Sequence, residues 1–285
     1  MKTIIITGGN SGLGFETAKK VVGNPEYKVI LACRNPEKAQ KAKEQIVGET
    51  GNAHIEVMPL DTSSLVSVRA FAENFIASGE KSDVLVNNAG ISSMGNTGTT
   101  EDGFELVFAT NYLGHFLLTQ LLLPHMTEEA AIFNVSSDMH NPPGGIDWPG
   151  AELLAHPKED DRRKYAYSKL CMIYFTHELD RRLRENGSRI TVNAFNPGFM
   201  ASTNFSKGGG KARELVVKTT MPDRYGKLES SSDALAELIT NDAYRGISGQ
   251  YFDRSTNTAK SSALSYSREN AQELWEASMT YCDLA

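Results

Sequence analysis

The sequence predicts a doubly wound parallel α/β sheet in a single domain spanning residues 1–285. Three observations carry this prediction. Strand and helix patterns alternate from the first residues, several strand patterns are apolar on both faces, and a glycine-rich turn joins the first strand to the first helix. Thr3 to Thr7 is a β-branched run suited to a strand buried on both sides. A helix pattern then runs through Lys20. Tyr27 to Ala32 reads as a second strand, and Pro36 to Gly48 as a helix with proline near its start. His54 to Leu60 is a third strand ending at Asp61, and Ser63 and Ser64 can cap the helix to about Ala77. Val84 to Val86 is the core of a fourth strand. Glu101 to Met126 has one long apolar helical pattern. Ala130 to Val135 and Ile190 to Phe195 are further strands around a helix from Tyr165 to Arg184. A short helix near Ala234 to Thr240 and a strand at Gln250 to Phe252 complete the sheet. The tail from Ser261 reads as one amphipathic helix whose Leu274, Trp275 and Met279 dock on the body.

Two long stretches break the rhythm, Asp138 to Lys164 and the chain after Pro197, which includes Gly208-Gly209-Gly210. Both follow the carboxyl ends of strands, where open α/β sheets bind ligands. Bulk composition fits a globular protein: 40 % hydrophobic and 22 % charged residues over 285 positions. A net charge of −6 and the lack of any basic run argue against nucleic acid. Cys33, Cys171 and Cys282 have no metal-like spacing and suit a reducing compartment. The six histidines form no ligand cluster, so no metal site is expected. The first apolar stretch is too short for a signal peptide or an anchor, and the cytoplasm is the expected compartment. Self-association into a homo-oligomer stays open.

The turn Thr7-Gly8-Gly9-Asn10-Ser11-Gly12-Leu13-Gly14 links strand to helix. Glycines let the backbone turn tightly and let a pyrophosphate approach a helix N-terminus. Gly8, Asn10, Ser11, Gly12, Leu13 and Gly14 are therefore candidate dinucleotide-binding residues. In many such folds a carboxylate about twenty residues later holds the ribose hydroxyls of NAD. Counting from Gly14 lands on Arg34, whose guanidinium suits a 2′-phosphate, so NADP (NADPH) is expected in preference to NAD. Asp61 could meet an adenine amino group or serve as a helix N-cap. Asn87-Asn88-Ala89-Gly90 ends the fourth strand, and Asn87, Ala89 and Gly90 are assigned to the cofactor.

Tyr165 and Lys169 lie four apart, so a helix stacks an ammonium beside a phenol. A free phenol ionises near ~10. Working near neutral pH demands about 4 kcal/mol of extra phenolate stabilisation, more than one exposed ion pair supplies. A second positive charge or a dry site would have to help. Tyr167 points to another face.

Taken together these motifs resemble the short-chain dehydrogenase/reductase family. They are Thr7-Gly8-x3-Gly12-x-Gly14, Asn87-Asn88-Ala89-Gly90, Asn111, Val135-Ser136-Ser137, Tyr165-x3-Lys169 and Pro197-Gly198, in family order along nearly the whole chain. Leu31 to Asn35, the long loop before Tyr165, and Gly249 to Phe252 followed by Glu273-Leu274-Trp275 look most like the retinol-dehydrogenase and protochlorophyllide-reductase branch.

The resemblance implies a Rossmann fold and a hydride transfer between a nicotinamide and a small-molecule carbonyl or alcohol. It implies Tyr165 as general acid in reduction and base in oxidation. Lys169 would lower the Tyr165 pKa and hold the ribose. Ser137, rather than Ser136, would bond the substrate oxygen. Asn111 would interrupt a helix and hold a water as a proton relay. Pro197, Gly198 and Ser202 would sit at the nicotinamide. The loops carrying Met139, Pro142, Pro143, Trp148, Phe199, Met200 and Phe205 suggest a lipophilic substrate such as a retinoid, steroid or aromatic ketone, with Met139 and Phe199 as contacts. Two other readings compete. A light-driven reductase of a tetrapyrrole double bond is opposed by Phe199, where such enzymes place a cysteine after the Pro-Gly pair. A catalytically silent cofactor sensor is opposed by the joint presence of Ser137, Tyr165 and Lys169. The run Lys158 to Lys164 reads as a solvated face.

Overall fold

The alternation resolves into an eight-stranded sheet in a computed structural model that describes residues 1–200 and 211–285. Ser202, Phe205 and Gly208-Gly209-Gly210 lie outside the described residues. In chain order the first half contains β1 (Lys2–Thr7), α1 (Gly12–Val22), β2 (Tyr27–Cys33), α2 (Pro36–Thr50), β3 (Ile55–Pro59), α3 (Leu65–Ala77) and β4 (Ser82–Asn87). After it come α4 (Leu106–Phe108), a π-helical turn (Ala109–Leu113), α5 (Gly114–Leu122), β5 (Met126–Val135), α6 (Ala151–Ala155), α7 (Lys164–Glu185) and β6 (Thr191–Asn196). The chain closes with α8 (Lys211–Thr220), α9 (Leu228–Thr240), β7 (Tyr251–Asp253), β8 (Thr258–Ala259) and α10 (Arg268–Tyr281). The strand order is β3-β2-β1-β4-β5-β6-β7-β8. β1 to β7 pair in parallel and β8 adds antiparallel at the edge.

Strand pleating explains the apolar runs. Ile4 and Ile6 of β1 face one core with α1, α2 and α9, while Ile5 faces the other with α3, α5, α7 and α10. Both faces are covered, so alternate residues need not be polar. The order reverses between β1 and β4, which opens a crevice at the strands' carboxyl ends.

The single long helix expected over Glu101 to Met126 is shorter and interrupted. It starts at Leu106 because the Glu105 carboxylate caps it, accepting the Phe108 N–H at 2.6 Å. The π turn at Ala109–Leu113 breaks its middle, and Pro124 lies in the 3-10 turn that ends it before β5. Leu106–His125 is apolar and long enough to cross a membrane by composition alone, yet 78 % of that window is buried inside the fold. The reading of Lys158 to Lys164 as solvated fails at its last residue. Lys164 is buried and reaches the buried Glu105 carboxylate at 3.5 Å, tying the start of α7 to the start of α4. The tail docks as expected, with Leu274 and Trp275 buried and the Arg182 guanidinium 4.5 Å over the Trp275 ring.

Candidate active site

The crevice is a cleft of about 500 Å³, and the glycine turn forms its floor. Gly8 sits at φ +65°, a region that costs other residues strain, and lines the cleft with Asn10, Ser11, Gly12 and Leu13. Ser11 precedes α1 but its side chain caps nothing, so the first helical N–H groups have no side-chain partner there. An uncapped helix N-terminus beneath a glycine turn suits a pyrophosphate. Gly14 does not line the cleft. A side chain there would meet the Asn88 Nδ2 at 2.6 Å and the Gly8 carbonyl at 2.9 Å, so Gly14 lets the turn pack on the end of β4.

Asn87, expected at the cofactor, does not line the cleft. Asn87 is buried in the sheet, and its amide donates to Thr119 Oγ1 at 3.0 Å and Asn134 Oδ1 at 2.8 Å. Asn88 lines the cleft with Ala89 and Gly90, and its amide holds the Thr7 carbonyl at 2.8 Å. Thr7 Oγ1 accepts the Asn88 and Ala89 N–H groups, both at 2.8 Å. The hydroxyl also lies 2.9 Å from His115 Nε2. His115 Nδ1 donates to the Asn111 carbonyl at 3.1 Å, so Nε2 is the acceptor and Thr7 the donor. Burial draws this imidazole down to about 4, so it stays neutral. Sequence reasoning did not single out His115, because its partners are distant in the chain.

At the far end Arg34 lines the cleft, mostly exposed, with its Nε 3.9 Å from Asp61 Oδ2. Asp61 is not the helix cap. Its Oδ1 accepts the Ser63 N–H and hydroxyl, while Ser64 caps α3. Lys38, which the sequence reading passed over, also lines the cleft from the first turn of α2. Its spacing of four from Arg34 was the available signal.

The opposite wall carries Ser137, Met139, Tyr165, Lys169, Pro197, Gly198 and Phe199. Ser137 hydrogen-bonds the Tyr165 phenol, and the Met139 N–H donates to Ser137 Oγ at 3.1 Å. Ser136 also lines the cleft, but its hydroxyl donates to the Lys169 carbonyl at 2.8 Å. Tyr167 packs in the core. Lys169 lies over the face of the Tyr165 ring, 5.7 Å from its centre, and donates to the Val135 carbonyl at 3.0 Å. The amine therefore lies beside the phenol, as the spacing of four predicts, and over the face of its ring. Burial drives the phenol pKa up and draws Lys169 down to about 8. Dryness penalises both charged forms, so within the protein alone it opposes phenolate rather than helping it.

Asn111 stands in the centre of the π turn and behind the cleft wall. Its Oδ1 accepts the Ile91 N–H at 2.8 Å, and its amide donates to the Ile91 carbonyl at 3.0 Å and Ser168 Oγ at 2.9 Å. The side chain has no free donor for a water. Met200 lines the cleft, but Trp148 does not: its indole donates to Glu273 at 2.6 Å and its ring packs edge-on to Tyr174.

Residues 2–145 match the short chain dehydrogenase family. Human retinol dehydrogenase 13 is 38 % identical over 97 % of this chain and 83 % of its own length. The chloroplastic short-chain dehydrogenase TIC 32 B of Brassica napus is 33 % identical over 99 % and 88 %. A crystal structure from Mycobacterium paratuberculosis superposes with a TM-score of 0.76 at 29 % identity, covering 99 % of this chain and 94 % of its own. On this family match and these relatives, the chain belongs to the short-chain dehydrogenase/reductase family of nicotinamide-dependent oxidoreductases, and it is similar to retinol dehydrogenases and TIC 32 short-chain dehydrogenases.

Proposed function

We propose that the whole chain is one NADP-binding domain that interconverts a lipophilic carbonyl and its alcohol. The observation that carries this reading is the Ser137–Tyr165 hydrogen bond on one cleft wall, with Lys169 over the phenol ring and the glycine turn in the floor. A bound nicotinamide supplies or accepts the hydride. In reduction Tyr165 donates its phenolic proton to the substrate oxygen, and in oxidation it takes one. Ser137 holds that oxygen with a fixed donor as charge develops. Lys169 keeps its proton at neutral pH and loses it as pH rises past about 8, so it adds positive charge above the ring in the working range. The phenolate needs more than this one charge, and an oxidised nicotinamide would bring another. Asn111 braces this wall through Ile91 and Ser168.

NADP is favoured over NAD by charge. The turn after β2 offers Arg34 to the cleft and the first turn of α2 offers Lys38, and the nearby carboxylate, Asp61, is engaged with Ser63. Ile91, Met94, Met139, Phe199 and Met200 make the substrate end apolar, which supports a retinoid-, steroid- or aromatic-ketone-like substrate. The three free, buried thiols support a reducing compartment such as the cytoplasm.

The test is cofactor oxidation in the dark against a panel of lipophilic aldehydes and ketones, with NADPH and NADH in parallel. NADPH should be preferred, and Arg34→Asp should narrow or reverse the preference. Equal use of both cofactors by the wild type would end the phosphate-binding claim. Turnover only of a tetrapyrrole under light, or cofactor binding with no turnover, would replace the reaction.

A further inference from the structure

We propose that His140 is a positioning residue that locks Ser137 to the C-terminal segment, and that protonating its ring opens the lock. The catalytic half of this inference rests on the reading of Ser137 as the group that holds the substrate oxygen.

His140 sits between two partners whose roles cannot be exchanged. His140 Nδ1 lies 2.6 Å from the Ser137 carbonyl, which can only accept. His140 Nε2 lies 3.0 Å from the Ser262 backbone N–H, which can only donate. The ring must therefore be neutral, with its proton on Nδ1. A histidine between two hydroxyls could change tautomer at little cost; this one cannot. It is only 5 % exposed and packs edge-on to Tyr251 at 5.4 Å between ring centres.

The two ends of the lock are structurally distinct. Ser137 opens the 3-10 turn Asp138–His140, and its own hydroxyl bonds Tyr165. Ser262 caps the 3-10 turn Ala263–Tyr266 through its side chain, and that turn leads into α10. One imidazole thus joins the cleft wall to a segment beyond the last strand of the sheet. Protonation would place a second N–H on Nε2, facing the Ser262 N–H. Two donors cannot share that space, so the bond is lost and Ser137 loses its outer brace.

The groups around the ring set when this happens. Burial opposes the charged form most strongly. The Asp253 carboxylate favours it and the Arg224 guanidinium opposes it. Asp138, on the same turn, has a buried Oδ2 without a hydrogen bond, and its Oδ1 accepts the Ser137 hydroxyl at 3.2 Å. Tyr251 and Tyr165 are held neutral by burial. The net direction is downward, so opening is expected below the ordinary imidazole range of about 6.5.

Two non-titrating variants separate the two bonds. His140→Asn can keep a donor for Ser137 but loses the acceptor for Ser262. His140→Gln can keep the acceptor but loses the donor. Amide hydrogen exchange over residues 262–266, corrected for intrinsic pH dependence, reads the lock without any turnover. The kcat and KM of the wild type and variants across the same pH range read its effect on Ser137.

In the wild type, exchange should step up as pH falls below about 6.5, and kcat should fall in the same window with the cofactor KM unchanged. In His140→Asn, exchange should be high at every pH with no step. In His140→Gln it should stay low with no step, while kcat drops by about 10- to 100-fold at every pH. A wild type with no exchange step, or variants that keep the wild-type acid limb of kcat, would overturn the proposal. Should the variants fail to fold, nitrogen chemical shifts of the wild-type ring decide it: the Nδ1-protonated tautomer supports the lock and the Nε2-protonated tautomer overturns it. An exchange step in a protein that turns over no carbonyl would support the lock and refute the assigned reaction instead.

Discussion

Two buried histidines back the two walls of the cleft, and they are braced in opposite ways. On the glycine-turn side, His115 belongs to a web. Thr7 Oγ1 takes two backbone amides and gives its proton to His115, which in turn holds the Asn111 carbonyl. Every member comes from β1, the end of β4 or the helical run behind them, at the centre of the sheet. On the serine side, His140 makes one side-chain bond in each direction, and its outer partner lies beyond the sheet's last strand. Burial draws His115 down to about 4, and the web stays neutral throughout the physiological range. The difference teaches that the glycine-turn side is braced redundantly, whereas the tie from His140 to the C-terminal segment is one bond that can be broken by itself.

The largest effect is expected where the serine wall meets chemistry. Tyr165→Phe removes the proton donor but keeps the ring under Lys169. Turnover should fall by about 10²- to 10⁴-fold. Cofactor affinity, measured by fluorescence titration, should stay close to the wild type. A kcat within a few-fold of the wild type would remove Tyr165 from the reaction.

Thr7→Val tests the opposite wall. The substitution keeps the shape but leaves the Ala89 amide without an acceptor and His115 without a donor, while the Asn88 N–H keeps only the Val86 carbonyl at 3.0 Å. A loss of about 2–4 kcal/mol in unfolding free energy is expected, because unmet buried donors cost about 1–3 kcal/mol each. Cofactor affinity should fall with it, while the acid limb of the pH profile stays in place. If denaturant melts show Thr7→Val as stable as the wild type, the web is not a brace.

A smaller loss is expected from Gly14→Ala. The new methyl would face the Gly8 carbonyl at 2.9 Å as well as the Asn88 amide, and backbone cannot step aside as a side chain can. Overpacking of this kind costs about 1–3 kcal/mol. Weaker cofactor binding with a normal kcat at saturation is the expected pattern, and a kcat defect alone would contradict it.

The contrast between the walls also explains what could be read from the chain. The parallel sheet was legible because strands covered on both faces leave unbroken apolar runs such as Thr3 to Thr7. The glycine turn and the Tyr165–Lys169 spacing were legible because both are local patterns with a mechanical reason. That Asn88 and not Asn87 lines the cleft was not legible, because one step along a strand end turns a side chain from the cleft to the sheet interior. The helix interruption at Asn111 came from the family resemblance and is met by the π turn, whereas the pattern of Ala109 to Leu113 alone reads as sound helix. Lys164 and Trp148 looked like surface and substrate residues. Only the folded chain brings Glu105 and Glu273 to them. His115 went unread because Thr7 is 108 positions from it, and what His140 joins was unreadable because Ser262 is 122 positions away.

The smallest expected effect separates structure from charge at the Arg34–Lys38 end of the cleft. Asn35 caps α2, its Oδ1 accepting the Lys38 N–H at 2.8 Å, and it lines the cleft between Arg34 and Lys38. Asn35→Ala should cost about 1 kcal/mol of stability, as lost caps do. It should also weaken NADPH slightly by loosening the turn that carries Lys38, and leave NADH unchanged. Asn35→Asp keeps the cap and sets a carboxylate at a helix N-terminus, where it is favourable by about 0.3–1 kcal/mol. Stability should therefore be retained or rise, while the new charge lowers the NADPH preference. If both variants shift stability and cofactor preference in parallel, the preference reflects the order of α2 and not the positive charge of Arg34 and Lys38.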